Sequence, residues 1–182
     1  MVPLRLCYNP SVRSSPRDYL LLNVGFLLHQ NVGFVREFPL ELPDIHLPPD
    51  VDLADLAGSV HVTRTAQGLL LQVKASARIK AECVRCLGEF LQDLYVDFTE
   101  LYAFSQKSVT ESGLVVPENG KIDLAPLLRE EMLLAIPIHA VCKPDCRGLC
   151  PVCGANRNEV ACHHEEEDAG DAPLSILGSL LG

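Results

Sequence analysis

Leu71-Gln72-Val73-Lys74-Ala75-Ser76-Ala77-Arg78-Ile79-Lys80-Ala81-Glu82-Cys83 places an apolar residue at every odd position and a polar or charged one at every even position. Successive side chains of a strand point to opposite faces, so this alternation predicts a long strand with one face in a core and one in water. Working outward, Gly58 to Arg64 reads as its hairpin partner across Ala66-Gln67-Gly68. On the other side, Leu94, Val96 and Phe98 alternate with Asp93, Tyr95, Asp97 and Thr99 as a third strand. Three strands with short links predict an antiparallel meander.

The flanks carry weaker signals. Asn31 to Pro39 reads as a short strand closed by its proline, and residues 43–50, with Pro43, Pro48 and Pro49, as an extended linker or loop. The first thirty residues, with Pro3, Pro10 and Pro16, read as irregular, and residues 105–120 as a loop. A helix is expected over about 123–136, with Asp123 as N-cap and Pro126 in the first turn, where its missing N–H costs nothing. Leu124, Leu127, Leu128, Met132 and Ala135 share one face of it, and Pro137 ends it. The expected fold class is α+β, an antiparallel β-meander or barrel-like sheet with one main helix and a small C-terminal module. The expected division is a mainly β domain over 1–140, a cysteine-rich module packed on it over 141–164, and an acidic tail over 165–182. Pro173 to Leu181 would form a short helix in that tail.

The chain has 182 residues, 48% of them hydrophobic and 21% charged, which fits a globular protein able to bury a core. No apolar run approaches the roughly 20 residues needed to span a bilayer. The start of the sequence lacks the pattern of a secretory signal, so a reducing, cytoplasmic setting is expected for the cysteines. The net charge of -9 is uneven. Glu159, Glu165, Glu166, Glu167, Asp168 and Asp171 fall within one short segment that contains no lysine or arginine. Local basic faces therefore remain open elsewhere.

Seven of the eight cysteines fall in two places. Cys83-Val84-Arg85-Cys86 is a C-x2-C pair at the end of the long strand. Cys142, Cys146, Cys150, Cys153 and Cys162 follow the helix, with His163 and His164 directly after Cys162. A C-x2-C turn lets both sulfurs reach one ion at about 2.3 Å with tetrahedral angles. Cys150-Pro151-Val152-Cys153-Gly154 has the composition of a rubredoxin-like knuckle. Two such pairs, a C-x3-C pair and Cys-His-His point to metal. The simplest partition joins Cys83 and Cys86 to Cys142 and Cys146, and leaves Cys150, Cys153, Cys162 and His164 as a second site. The alternative moves Cys142 or Cys146 into the second cluster. Zinc, as one or two structural ions, is the expected cofactor. Cys7 has no partner in the sequence and reads as structural, and the isolated His29, His46, His61 and His139 read as packed or exposed residues rather than ligands.

Cys83-Val84-Arg85-Cys86-Leu87 opens a wider pattern. Ile122-Asp123-Leu124, Arg129-Glu130, Leu133 to Pro137, and Cys146-Arg147-Gly148-Leu149-Cys150-Pro151-Val152-Cys153-Gly154-Ala155-Asn156-Arg157-Asn158 follow in order. Together they resemble the YceD-like family (DUF177), named for accumulation of large-subunit ribosomal RNA in bacteria and plastids. The resemblance covers roughly residues 60–182. Where many relatives close the cluster with Cys-x-Cys, this chain has Cys162-His163-His164. The resemblance implies a non-enzymatic ribosome-biogenesis factor that supports synthesis, processing or accumulation of 23S rRNA. Its partner would be the large-subunit ribosomal RNA precursor or a ribosome-assembly protein, with no membrane and no small-molecule substrate.

Lys74, Arg78 and Lys80 on the outer face of the long strand, with Arg85 just beyond, are candidate RNA contacts, and Lys143, Arg147 and Arg157 surround the cysteines. Solubility alone also accounts for a basic strand face. An iron–thiolate electron-transfer protein is the alternative function. A zinc hydrolase fits less well, because thiolate-rich sites are closed and no nucleophile elbow, phosphate loop or paired-carboxylate motif is present.

Overall fold

The computed structural model describes residues 19–110, 112–162 and 164. The predicted short C-terminal helix and Cys7 lie outside them. The meander is there, with four strands rather than three: β2 (Val35–Leu47), β3 (Val51–Arg64), β4 (Gly68–Glu82) and β5 (Glu89–Ala103), paired antiparallel in sequence order. A two-stranded sheet joins β1 (Leu21–Asn23) to β6 (Lys121–Asp123), and α1 spans Ala125–Leu134. Among the described residues β2 does not pair with β5, so the four-stranded sheet is open rather than closed into a barrel.

β4 keeps the alternation read from the sequence. Leu71, Val73, Ala75 and Ala77 are buried, and Gln72, Lys74, Arg78 and Lys80 are exposed. Each inner position meets another apolar residue across the ladder, Val60 and Phe98 flanking Val73, and Val96 lying opposite Ala75. Burying side chains of this size stabilises a fold by roughly 1.5 to 3 kcal/mol apiece before entropy is charged.

The proline-rich region departs from expectation. Residues 43–47 belong to β2, which runs through Pro39 and Pro43. Proline removes a ladder donor, and β2 tolerates two because it is an edge strand. β3 extends back to Val51, beyond the expected start at Gly58, and carries a bulge between Ala54 and Ala57. The extra residue reverses the alternation, so that Val51 and Leu53 are buried before it and Leu56, Val60 and Val62 after it. Asp55 sits at the bulge with φ 51°.

β1 lies within the first thirty residues, which had read as irregular. The helix starts two residues after Asp123, whose Oδ1 accepts the Ala125 N–H at 2.9 Å, and ends at Leu134, just before the expected 136. Leu124, Leu128 and Met132 enter the core, and α1 packs on β5 and β2. Arg129 donates from Nε (2.9 Å) and Nη2 (2.6 Å) to Asp50 Oδ1, tying the helix to the β2–β3 turn.

Candidate metal centre

The β4–β5 connection makes the first half of the centre. The Cys83 N–H donates to the Gly88 carbonyl and the Leu87 N–H to the Cys83 carbonyl, both at 2.9 Å, bending Cys83 to Gly88 into a knuckle. The segment after α1 closes on this knuckle. The Val84 N–H donates to Ala140 O at 2.9 Å, and the Leu149 N–H to Arg85 O at 2.9 Å. Arg85 Nη1 donates to Cys146 O at 3.1 Å. Gly148 is needed where the two segments meet. Its φ is +70°, and a Cβ there would lie 2.9 Å from the Arg85 carbonyl oxygen.

These backbone ties bring Cys83, Cys86, Cys142 and Cys146 together. Four sulfurs bound at about 2.3 Å to a tetrahedral ion stand about 3.8 Å apart. The Cys83–Cys146 and Cys86–Cys142 Sγ separations are each 3.8 Å, far beyond a covalent S–S bond. All four sulfurs lie within 4.8 Å of one another, so the donor set fits a tetrahedral thiophilic metal. Cys83 is fully buried and Cys146 nearly so. The Cys142 backbone N–H, helped by those of Cys86 and Arg85, outweighs burial and holds the Cys83 thiol down to about 6. Burial and the neighbouring thiols push Cys142 up to about 12. Packed this closely, the four thiols cannot all ionise without a cation to replace their protons.

The second group is Cys150, Cys153, Cys162 and His164, again within 4.8 Å of one another, with His164 Nε2 3.1 Å from Cys153 Sγ. His163 lies outside the described residues. The knuckle geometry repeats, with the Gly154 N–H donating to Cys150 O at 2.9 Å and the Cys150 N–H to Ala155 O at 2.8 Å. The left-handed position is Gly154 here, φ 72°, and Leu87 in the first knuckle, φ 55°. The Cys153 and Val152 N–H groups hold the Cys150 thiol down to about 6. Cys153 and His164 are exposed.

One contributor carried no assigned role in the sequence reading. Asn158 Nδ2 lies 3.4 Å from Cys146 Sγ, and Asn158 Oδ1 accepts the Arg147 N–H at 2.9 Å. It stands behind the Cys146 sulfur, in the place that outer partners of metal ligands take. Its place within Asn156-Arg157-Asn158 was visible in the sequence, but its direction was not.

The candidate RNA contacts are not gathered into one basic patch. Lys74 Nζ is 3.0 Å from Asp97 Oδ2, and the Arg78 guanidinium binds the Asp55 carboxylate. Lys80 lies opposite Leu91, and Arg85 donates to the Cys146 carbonyl beside the first cysteine group. The outer sheet face also exposes Glu37, Glu41 and Asp44 on β2, and Asp52 and Asp55 on β3. β4 adds Glu82, and β5 adds Glu89, Asp93 and Asp97. With only Lys74, Arg78 and Lys80 as lysines or arginines among them, the face is net negative. No helix among the described residues is long and apolar enough to cross a membrane.

Comparison with known proteins agrees with this arrangement. Residues 71–181, which contain both cysteine groups, match the model of the family described as large ribosomal RNA subunit accumulation protein YceD. An uncharacterized protein of Mycobacterium tuberculosis is 33% identical over 161 residues, covering 84% of this chain and 74% of its own length. A chloroplastic large ribosomal RNA subunit accumulation protein YCED homolog 1 of Arabidopsis thaliana is 41% identical over 63 residues, 34% of this chain and 20% of its own. No solved structure matches. With its family match running from the core strand through both cysteine groups, the chain belongs to the YceD family of large ribosomal RNA subunit accumulation proteins.

Proposed function

We propose that the chain is a non-enzymatic, cytoplasmic ribosome-biogenesis factor that supports accumulation of large-subunit (23S) rRNA, with two structural zinc ions. The observation that carries this reading is the family match across residues 71–181. The two four-donor sets, each with its donor atoms within 4.8 Å of one another, support the zinc. Thiolate-rich, four-donor sets leave no open coordination position for a substrate, which favours a structural role over a catalytic one. Each ion closes its knuckle, and the first also fastens the β4–β5 connection to the segment after α1. An iron–thiolate electron carrier is the second reading, since the first group is all sulfur. Against it, the two knuckles belong to different groups rather than facing each other across one ion.

The test has two parts. Chain purified without chelator should carry close to two zinc ions and no visible absorption. Metal analysis giving iron, with a coloured protein, would replace the zinc reading. In cells whose own copy has been deleted, large-subunit rRNA should fall relative to small-subunit rRNA and recover when the chain is supplied. An unchanged ratio would sink the functional reading.

A further inference from the structure

The outer face of the four-stranded sheet carries apolar groups that a purely solvated face would not hold. Tyr95 is 75% exposed and Leu91 47% exposed, both on the edge strand β5. Each borders a hollow. One, of about 430 Å³, lies where Ala57 and Gly58 leave space beside Tyr95. The other, of about 530 Å³, lies between Leu91, Lys80 and the Asp44–Asp52 end of β2 and β3. A protruding tyrosine beside a hollow, with a polar rim, is the anatomy of a protein-binding surface.

Charge decides the partner. Acids outnumber lysines and arginines on this face, and Asp55 and Asp97 already pair with two of the three cations. Phosphate binding needs free Lys or Arg, and here an RNA backbone would meet repulsion. A cationic polypeptide meets attraction, faster encounter and two apolar anchors. We propose that this face docks a lysine- and arginine-rich segment of a protein partner, with Tyr95 and Leu91 as anchors. The proposal deepens the ribosome-biogenesis reading and rests on it for the partner's setting.

The probe is a labelled peptide of about twelve residues, long enough to lie along the strands, made of lysine and arginine with one central leucine. Fluorescence anisotropy on the full chain should show binding that weakens with salt. The variant Glu41→Gln/Asp44→Asn/Asp93→Asn should weaken it about tenfold, and Tyr95→Ala about as much with the salt dependence kept. Zinc content and melting should stay at the parent's values. Three outcomes overturn the proposal. Single-stranded RNA of similar length could bind more tightly than the peptide. Neutralising Glu165, Glu166 and Glu167 could remove the peptide binding while the face variant leaves it intact. Changing Arg5, Arg13 and Arg17 to glutamine could open the face to the peptide, making the chain's own N-terminal segment the occupant. In cells, a face variant that restores large-subunit rRNA as well as the parent overturns the docking face alone. Failure of the parent chain itself to restore it overturns the functional reading instead.

Discussion

The two cysteine groups share a local design and differ in what surrounds them. Both knuckles use the same pair of backbone hydrogen bonds, from a left-handed residue back to the first cysteine and from that cysteine to the residue after. The first group then joins residues 56 and 63 positions apart in sequence, around a fully buried Cys83. The second joins residues between Cys150 and His164, with Cys153 and His164 in solvent. Identical knuckles can therefore act as a long-range staple or as a local clasp. The distance in sequence between the ligands decides which, because closing a longer loop removes more freedom from the unfolded chain.

The sharpest way to break that comparison is to remove one ligand from each group. Closing a loop of some sixty residues is worth enough unfolded-state entropy that Cys83→Ser should lower the melting midpoint by roughly 10 °C. Cys153→Ser should leave the main transition within a few degrees of the parent and loosen only the terminal segment, seen as faster amide exchange after Cys150. Equal melting of the two variants would abolish the distinction between staple and clasp.

Metal removal sharpens the same point kinetically. Exposed ligands admit a competing chelator, whereas Cys83 and Cys146 must first be uncovered by opening of the fold. Zinc release to a chromogenic chelator should occur in two phases, the faster at least about tenfold quicker and lost in Cys153→Ser. A single phase of two equivalents would mean that the sites open together.

What the sequence disclosed divides along physical lines. β4 was legible because its period is unbroken over thirteen residues, and the C-x2-C pairs because their spacing is a local constraint. The sequence left open which pairs share a group, since the first group joins residues 56 and 63 positions apart. The continuation of β2 beyond Pro39 and the first half of β3 were hidden by Pro39 and Pro43, which suit an edge strand, and by the Asp55 bulge, which reverses the phase of burial. The helix was found within two residues at either end. The charge of the outer face depended on register. Asp55 lies 23 residues from the Arg78 it binds, and only the ladder sets Asp97 against Lys74. Asn158 was missed because no spacing rule announces a hydrogen bond to sulfur.

Glycine substitutions probe the contact between the staple and its surroundings at smaller cost. Gly148→Ala meets both a positive φ and the Arg85 carbonyl oxygen at 2.9 Å, whereas Gly154→Ala meets only the positive φ, with nothing within 4 Å. For a residue as small as alanine the left-handed cost alone is about 1 kcal/mol, the lower end of the range for L residues. Gly148→Ala should therefore destabilise by roughly 2 to 3 kcal/mol in denaturant unfolding, and Gly154→Ala by about 1 kcal/mol. Equal losses would show that the Gly148 contact gives way without cost.

The smallest effect concerns the left-handed position, where the two knuckles carry different residues. Leu87 holds φ 55° where Gly154 holds 72°, and it is 57% exposed, so its side chain gains little from burial. Leu87→Gly removes the left-handed penalty of about 1 to 2 kcal/mol but gives the unfolded chain extra freedom worth about 0.5 to 1 kcal/mol. The net expectation is a stabilisation of up to about 1 kcal/mol, a rise of roughly 2 to 4 °C in melting midpoint for a chain of this size, with zinc content unchanged. A rise would make the knuckles equivalent in backbone terms and leave loop length as the cause of their different roles. A fall of similar size would show that the leucine itself matters to the staple, and that the first knuckle is held by its surroundings as well as by the proposed metal.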